Sequence, residues 1–331
     1  MSTTRTFFAG ASGAIGTPAV RELIDRGHEV VAMTSSAAKA PMLADLGAEP
    51  VVADALDAAA LTRAVRAARP DAVVNMLTRI PAKPGRPSQM RATNELRERG
   101  VRNLLDAAVA AGAQRFVSES FFGVYGFGPY ATPRTEDDPI GRERNRGVQT
   151  VIDAIASSEA QVRAASDEQR IEGVSLRFAG FHGPLAPNTA TMVELARARR
   201  LPIIGAHGAT MPLVELTDAA RAVADALERA PAGRIYNVAD DEPVTMEDYL
   251  NELARVIGAP PPRHVPYWLV RLAGPYIAGF MGRARVPLST ALIAEELGWR
   301  PRYPTYREAL ALLADGERDL VGSAVGPVQR A

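Results

Sequence analysis

The stretch Gly10-Ala-Ser-Gly13-Ala-Ile-Gly16 lies near the start of the chain, directly after the apolar run Thr6-Phe7-Phe8-Ala9. A helix-like segment, residues 14–26, follows it, and then a second strand-like run, residues 28–33. A tight glycine turn between strand and helix lets backbone N–H groups approach a pyrophosphate, and the helix N-terminus adds a partial positive charge. Glycines at this spacing also occur in turns that bind nothing. The order strand, turn, helix, strand nevertheless predicts the first half of a dinucleotide-binding βαβ unit.

Composition argues against several classes of protein. The chain has 331 residues, 47% of them hydrophobic, which is enough for one large core or two small ones. The formal net charge is zero, so there is no electrostatic footprint for nucleic acid or an anionic membrane. Cysteine is absent, which removes disulfides and thiolate nucleophiles. The most apolar late segment, residues 265–281, is interrupted by Arg271 and by prolines and is too broken to span a bilayer.

We therefore expect a cytoplasmic protein that has no signal peptide and no membrane or nucleic-acid partner. The histidines are scattered, with no two at metal-ligand spacing, so no metal site is expected.

The first half of the chain alternates β-branched runs with alanine-rich helical stretches. Strands are predicted at residues 6–9, 29–33, 50–53, 72–77, 115–118 and 173–178, and helices at residues 14–26, 38–46, 58–68, 90–111 and 147–165. Strands separated by helices of this length indicate right-handed crossovers, and therefore an α/β fold with a doubly wound parallel sheet of the Rossmann type. Ligands of such sheets bind at the carboxyl ends of the strands.

After residue 178 the rhythm changes, which indicates a smaller, mostly helical substrate lobe. We predict a dinucleotide-binding domain at residues 1–180, to which residues 214–240 return. The substrate-binding lobe is predicted at residues 181–213 and 241–315, and a tail with little apolar periodicity at residues 316–331.

Several short motifs follow one another in a characteristic order. They include the glycine stretch, Val52-Ala53-Asp54-Ala55, Arg115-Phe116-Val117-Ser118, Val124-Tyr125-Gly126, Leu176-Arg177, Gly183-Pro184, Tyr236-Asn237-Val238 and Glu296-Leu297-Gly298-Trp299. In this respect the chain resembles the extended short-chain dehydrogenase/reductases, also called NAD-dependent epimerase/dehydratases, from residue 6 to about residue 312. The resemblance implies a Rossmann domain, a nicotinamide cofactor and a small-molecule substrate, and homodimers are common among such relatives.

The chain departs from this family at its acid/base pair. Family members use a tyrosine with a lysine four residues further on, because the ammonium lowers the pKa of the phenol so that it can relay a proton. The only lysines here are Lys39 and Lys83, and neither follows a tyrosine at that spacing. By spacing from Ser120 and from the segment Asp138-Pro139, the resemblance puts the tyrosine position at Asn145 and the lysine position at Gln149. Neither side chain supplies a proton, so we predict an atypical member.

Cofactor choice depends on the end of the second strand. An NAD site places Asp or Glu there, whereas this chain has Thr34-Ser35-Ser36 with Lys39 close behind. We predict NADP(H); the alternative is that these serines only cap the next helix and NAD(H) is bound. Asp54 resembles the residue that contacts adenine, or else caps a helix. The predicted cofactor-binding residues are Gly10, Ser12, Gly13, Ala14, Ile15, Gly16, Thr34, Ser35, Ser36, Lys39, Asp54, Ala55, Met76, Leu77, Thr78 and Phe181.

Ser118, Ser120 and Asn145 are the candidate catalytic residues. The two serines end the fifth strand, where the family keeps the hydroxyl that contacts the substrate oxygen, and Ser120 is the preferred donor. Tyr125 is the nearest phenol but is expected to be structural, as is His182. The long segments 78–88 and 121–141, together with 181–185 and 267–281, are predicted to build a mostly apolar pocket.

These features predict an oxidoreductase, an NADPH-dependent ketoreductase for a bulky apolar or aromatic, polyketide-like substrate. A phenol beside the carbonyl of such a substrate would replace the missing acid. The arginine-rich, lysine-poor composition is typical of GC-rich genomes, in which tailoring ketoreductases of antibiotic biosynthesis are frequent. The alternatives are a dinucleotide-binding sensor without turnover and a nucleotide-sugar epimerase or dehydratase. The latter reactions need strong acid/base groups, which the missing pair disfavours.

Overall fold

A seven-stranded parallel sheet forms the centre of the computed structural model, which describes residues 3–81, 85–205 and 208–323. Its strand order is β11-β6-β5-β4-β1-β2-β3. These strands are β1 (Arg5–Ala9), β2 (Glu29–Thr34), β3 (Glu49–Val52), β4 (Ala72–Asn75), β5 (Arg115–Phe121), β6 (Glu172–Phe178) and β11 (Arg234–Val238). Strand order reverses beside β1, and the predicted Rossmann fold is confirmed.

Helices cover both faces of the sheet and build the segments beyond it. They are α1 (Gly16–Asp25), α2 (Ala40–Asp45), α3 (Ala58–Ala68), α4 (Arg91–Glu95), α5 (Val101–Ala111), α6 (Arg146–Asp167), α7 (Pro187–Arg197), α8 (Leu216–Arg229), α9 (Met246–Val256), α10 (Tyr267–Ala273), α11 (Pro275–Arg283), α12 (Ala291–Leu297) and α13 (Tyr306–Ser323). The last of them continues past Gly316, where the sequence predicted a tail. None of the described helices has the length and apolar character that crossing a membrane requires.

Shorter strands, which lie between the later helices in the sequence, pair with one another outside the central sheet. They are β7 (Gly180–His182), β8 (Pro202–Ile204), β9 (Thr210–Met211), β10 (Leu213–Glu215), β12 (Val244–Thr245) and β13 (Arg263–Val265). The pairs are β7 with β10, β8 with β13, and β9 with β12.

Adjacent residues of the central strands face two separate cores. Phe8 and Val74 lie in the larger core with helices α1 and α8, whereas Phe7 and Val73 lie in a second core with α3 and α5. Continuous apolar runs such as 72–74 are therefore needed, because a parallel sheet is buried on both faces.

The helix predicted over residues 90–111 is interrupted. A π-turn, Leu96–Gly100, separates α4 from α5. It carries Arg97, which is buried and paired with Glu119 of β5, with Nε and Oε1 3.0 Å apart. The π-turn has a wider turn than an α-helix, and it holds Arg97 in a buried ion pair with Glu119 near the end of β5. Helical periodicity in the sequence does not predict this pair.

Candidate functional site

The glycine stretch forms a turn into which no side chain fits. Gly10 has φ +88°, and a Cβ there would lie 2.5 Å from the Met76 carbonyl oxygen at the end of β4. A Cβ on Gly16 would lie 2.1 Å from the Gly10 carbonyl oxygen, and Gly13 N–H donates to that same oxygen at 3.0 Å. Two strand ends and a helix start therefore meet with only backbone between them.

Helix α1 presents its first turn without a side-chain cap. Ile15, at the N-cap, is buried and makes no capping hydrogen bond, whereas Gly13 and Ala14 are exposed. Backbone N–H groups that lack a side-chain partner at a helix start bind anions well. The cradle has the free backbone donors that a pyrophosphate needs, and contact of Gly10, Ser12, Gly13, Ala14, Ile15 and Gly16 with a cofactor remains a prediction.

The end of β2 brings hydroxyls and one cation to the same place. Thr34 and Ser12 share a hydrogen bond between their hydroxyls at 2.9 Å, and Ser36 N–H donates to Thr34 Oγ1 at 3.2 Å. Lys39 is exposed and its Nζ donates to the Ser12 carbonyl oxygen at 3.4 Å. Ser35 is exposed beside them. Lys39 thus brings a positive charge to the glycine turn, and its contact with a 2′-phosphate remains a prediction.

We expect Lys39→Ala to raise the Kd for NADPH by about tenfold and to leave the Kd for NADH within about twofold, because only NADPH carries the additional phosphate. Fluorescence titration of both nucleotides measures the effect. The matched control is Arg63→Gln, which removes an exposed positive charge from α3. A parallel loss for both nucleotides would contradict the assignment of Lys39 to the 2′-phosphate.

The structure excludes one of the two roles considered for Asp54, that of a helix cap. Its Oδ1 accepts from Leu56 N–H at 2.9 Å, in a turn, while Asp57 caps α3 by accepting from Ala60 N–H at 2.9 Å. Asp54 is therefore not the helix cap, and its exposed carboxylate remains the predicted adenine contact. Ala55 is buried, and its carbonyl oxygen accepts from Asn103 Nδ2 at 2.9 Å.

The end of β4 passes close to the glycine turn. Met76 N–H donates to the Ala9 carbonyl oxygen at 2.9 Å, and the Met76 side chain is buried. Leu77 is half-buried and Thr78 is exposed, which leaves Thr78 accessible for contact with a ribose. Phe181 of β7 is half-buried and packs on Phe178, with ring centroids 5.4 Å apart. The roles of these residues at the nicotinamide side remain predictions.

Both serines at the end of β5 are buried and hydrogen-bonded within the protein. Ser118 Oγ accepts from Asn75 Nδ2 at 2.9 Å and is fully buried. Ser120 Oγ donates to Glu159 of α6. The structure therefore does not bring either hydroxyl to the surface of the cleft, and their contact with a substrate remains a prediction.

Ser120 belongs to a buried polar network. Glu159 accepts two hydrogen bonds from Arg177, from Nε at 2.7 Å and from Nη2 at 2.8 Å. Arg177 Nη1 also donates to the Tyr125 hydroxyl at 2.7 Å, and that hydroxyl donates to Asn237 Oδ1 at 3.0 Å. Burial raises the pKa of Tyr125, against the lowering by Arg177, so the phenol stays protonated. Tyr125 is structural, as the sequence indicated.

Asn145 and Gln149 both serve the backbone at the start of α6. Asn145 is the N-cap, and its Oδ1 accepts from Gly147 N–H at 2.9 Å and from Val148 N–H at 3.2 Å. Gln149 Oε1 accepts from Glu143 N–H at 2.7 Å, and its Nε2 donates to Asp153 at 2.8 Å. The amide NH2 of exposed Asn145 is free to donate to a ligand, but an amide is not an acid at any accessible pH.

An aromatic wall covers the carboxyl end of β5. It consists of Phe121, Phe122, Phe127, Tyr276 and Phe280. Phe121 ends β5, and its ring centroid lies 6.0 Å from that of Phe280 on α11. Tyr276 stacks on Phe280 with an interplanar angle of 5°. The backbone ties this wall to the segment after β4, since Tyr276 N–H donates to the Gly85 carbonyl oxygen at 3.1 Å. Helix α11 therefore lies next to the segment after β4, and the pocket expected from these segments remains a prediction.

His182 and Asp240 form a buried pair that the sequence did not reveal. Nε2 of His182 and Oδ2 of Asp240 are 3.8 Å apart, and within the described residues none of their ring nitrogens or carboxyl oxygens has a hydrogen-bond partner. Burial raises the pKa of Asp240 to about 8 and lowers the pKa of His182 to about 3. Both are neutral at pH 7, so the contact is not an ion pair.

From these two pKa shifts we expect the free energy of unfolding to decline above pH 6.5. The unfolded chain ionises Asp240 near its ordinary pKa of 3.8, whereas the folded protein keeps that proton up to about pH 8, so the free energy of unfolding falls with pH in between. His182 has the opposite sign, because its pKa is lowered from 6.5 to about 3, and its contribution rises only until pH 6.5. Between pH 6.5 and 8 the Asp240 effect stands alone, and we expect Tm to fall. Thermal unfolding of Asp240→Asn should lack this decline; an unchanged decline would refute the assignment.

The chain is similar to a known protein family and to individual reductases. The sequence profile of the NAD dependent epimerase/dehydratase family matches residues 7–239. The chain is 35% identical over 313 residues to the 3-diazoavenalumate denitrifying reductase of a Streptomyces species, covering 92% of this chain and 99% of that protein. It is 28% identical over 268 residues to the 2-alkyl-3-oxoalkanoate reductase of Stenotrophomonas maltophilia, covering 76% and 75%.

Solved structures agree on the fold. UDP-glucose 4-epimerase from Thermus thermophilus, in complex with NAD, has a TM-score of 0.79 at 24% identity over 95% of this chain and 99% of that one. RMD from Pseudomonas aeruginosa, complexed with NADPH, has a TM-score of 0.71 at 19% identity over 95% and 98%. The sheet order and the glycine cradle are those of a Rossmann fold, and the family match and the 35% identical reductase assign the chain to a family of NAD-dependent oxidoreductases. The chain belongs to the NAD dependent epimerase/dehydratase family.

Proposed function

We propose that this chain is an NADPH-dependent reductase for a bulky, mostly apolar aromatic substrate, and that its substrate, not the protein, satisfies the proton balance of the reaction. The observation that carries this proposal is the start of α6. The side chains of Asn145 and Gln149, which the sequence predicts at the positions of the family's acid pair, are both hydrogen-bonded to backbone groups. Neither can protonate a developing alkoxide.

The residues present fit the cofactor. A bound nicotinamide supplies the hydride. The backbone of residues 10–16 holds the pyrophosphate, Lys39 with the hydroxyls at the end of β2 holds the 2′-phosphate, and Asp54 contacts the adenine end. The aromatic wall excludes water from the carboxyl end of β5 and packs against the substrate.

A ketone is the first substrate class. Its reduction consumes one hydride and one proton, and a phenol adjacent to the carbonyl in the substrate donates that proton through an internal hydrogen bond. The relationship to the 2-alkyl-3-oxoalkanoate reductase, a protein named for a ketone substrate, supports this class.

An aromatic diazo compound is the second class, and the 35% identical relative favours it, since that protein is a denitrifying reductase of a diazo compound. When a hydride adds to the ring carbon of an aryl diazonium, the C–N bond breaks, its electron pair leaves with dinitrogen, and the arene is formed. The positive charge of the diazonium balances the hydride. No proton is required, which agrees with a site that has no acid at the start of α6.

Loss of NADPH fluorescence in the presence of aromatic ketones, aryl diazo compounds and nucleotide sugars tests the proposal. Turnover of either aromatic class supports it, and release of dinitrogen identifies the second. Deuterium from NADPH labelled at the nicotinamide C4 should appear on the reduced carbon. NADPH binding without turnover of any aromatic substrate would favour the sensor, and conversion of nucleotide sugars would favour an epimerase or dehydratase.

Asn145→Ala should leave the hydride-transfer rate within about threefold of the wild type, because the side chain caps a helix and supplies no proton. The lost cap should cost about 1 kcal/mol of stability. Single-turnover NADPH oxidation measures the rate, and thermal unfolding measures the cap. A hundredfold loss of rate in a folded variant would show that Asn145 does participate in the chemistry.

A further inference from the structure

Six arginines lie on two segments that each contact the aromatic wall, through Gly85 and Glu143, and we call them the arginine rim. They are Arg79, Arg86 and Arg91 after β4, and Arg142, Arg144 and Arg146 at the start of α6. All six side chains are exposed. None of them forms an ion pair or a side-chain hydrogen bond with any residue that the structure describes.

The two segments of the rim are in contact. A Cβ on Gly147, in the first turn of α6, would lie 2.8 Å from Pro87 Cβ. Asn94 Nδ2 also donates to the Thr150 carbonyl oxygen at 3.5 Å. Arg86 and Arg146 are the immediate neighbours of the Pro87–Gly147 contact, and Arg144 and Arg146 flank Asn145. The positive charge is therefore concentrated where the family keeps its reacting groups.

Little negative charge offsets this concentration. Residues 78–94 contain no Asp or Glu, and residues 141–147 contain only Glu143. The Glu143 carboxylate is engaged, because its Oε1 accepts from Phe127 N–H at 2.9 Å. Since the whole chain has no net charge, the rim is a local feature and not a consequence of composition. Like charges this close repel each other, and a bound anion relieves the repulsion.

The rim adjoins an apolar surface. Gly85, one residue before Arg86, accepts a hydrogen bond from Tyr276 of the aromatic wall. The guanidinium groups of the rim and the aromatic rings of the wall therefore belong to neighbouring segments. The matching chemistry is an aromatic body that carries an anionic group at one end.

We propose that the substrate is an aromatic carboxylate, with its ring against the aromatic wall and its carboxylate bound by Arg86, Arg144 and Arg146. Guanidinium groups bind carboxylates through two parallel N–H donors, which fixes orientation as well as charge. This inference rests on the proposed function for the hydride transfer and adds the charge and the orientation of the substrate.

The test compares 2-naphthoate with 2-naphthamide, its neutral analogue, by calorimetric titration of the NADP⁺-saturated protein. We expect the acid to bind about tenfold more tightly than the amide at low salt. High salt should reduce the difference, because exposed charges are screened. The Arg144→Gln/Arg146→Gln double variant should lose the preference for the acid and keep its affinity for the amide, whereas Arg63→Gln on α3 should change neither.

Equal affinity for acid and amide, no measurable binding of the acid, or a preference that persists in the double variant would overturn the proposal. These outcomes leave the proposed reductase function intact, since NADPH binding and turnover of neutral aromatic ketones are measured separately. Conversely, a protein that selects the acid but oxidises no NADPH would retain the anion site and lose the reductase assignment.

Discussion

Gly10→Ala should raise the Kd for NADPH by about 100-fold or more. The methyl group would lie 2.5 Å from the Met76 carbonyl oxygen, so either the turn or the end of β4 must move. A shift of about 1 Å is enough to cost two orders of magnitude where several groups must align on one ligand. The backbone also sits at φ +88°, which an alanine tolerates poorly. Fluorescence titration with NADPH measures the loss, and thermal unfolding shows whether the variant is folded.

Gly112→Ala is the matched control for the backbone strain. Gly112 ends α5 with φ +81°, but a Cβ there meets nothing within 4 Å. Both variants therefore carry the same conformational penalty, and only Gly10→Ala adds the collision at the cradle. We expect Gly112→Ala to bind NADPH like the wild type. Unchanged NADPH affinity in a folded Gly10→Ala protein would show that the glycine turn is not the pyrophosphate site.

The sequence was sufficient for the sheet because its signals are local. Runs such as 72–74 are apolar over consecutive residues, the mark of a parallel strand with two buried faces, and the glycine turn requires no partner from elsewhere in the chain to be recognised. The family assignment is confirmed by the match of the family's sequence profile to residues 7–239.

The sequence did not predict which buried side chains pair with one another. Ser120 ends the expected strand, but the direction of its hydroxyl depends on Glu159, which belongs to a helix 39 residues later. Arg97 was hidden in a helical pattern, and its partner Glu119 follows Ser118 without any special spacing. His182 looked isolated because Asp240, in the loop after β11, is 58 residues away in the sequence. Long-range contacts decide each of these cases, and periodicity does not encode them.

The largest stability effect is expected for Glu159→Gln. The substitution removes the negative charge from a side chain whose partner, Arg177, is 3% exposed, and it leaves a buried guanidinium without its counter-ion. Breaking such a pair costs about 3–5 kcal/mol, because water cannot replace the lost carboxylate. Equilibrium urea unfolding, followed by circular dichroism, measures the change.

The exposed pair Arg99–Glu95 provides the comparison, and Glu95→Gln should cost less than about 1 kcal/mol.

A further variant separates the effect of charge from the effect of packing. The double substitution Glu159→Leu/Arg177→Met removes both charges, so it should be less destabilising than Glu159→Gln, although Ser120 loses its Glu159 partner and Tyr125 loses the hydrogen bond from Arg177. If Glu159→Gln were no more destabilising than Glu95→Gln, the network would not be the element that fixes Tyr125 and the segment behind it at the edge of the cleft. Glu159 and Arg177 connect β5 to Tyr125 and Asn237 through buried hydrogen bonds. These buried polar groups thereby join three strand ends and one long loop beneath the site where the substrate is expected to bind.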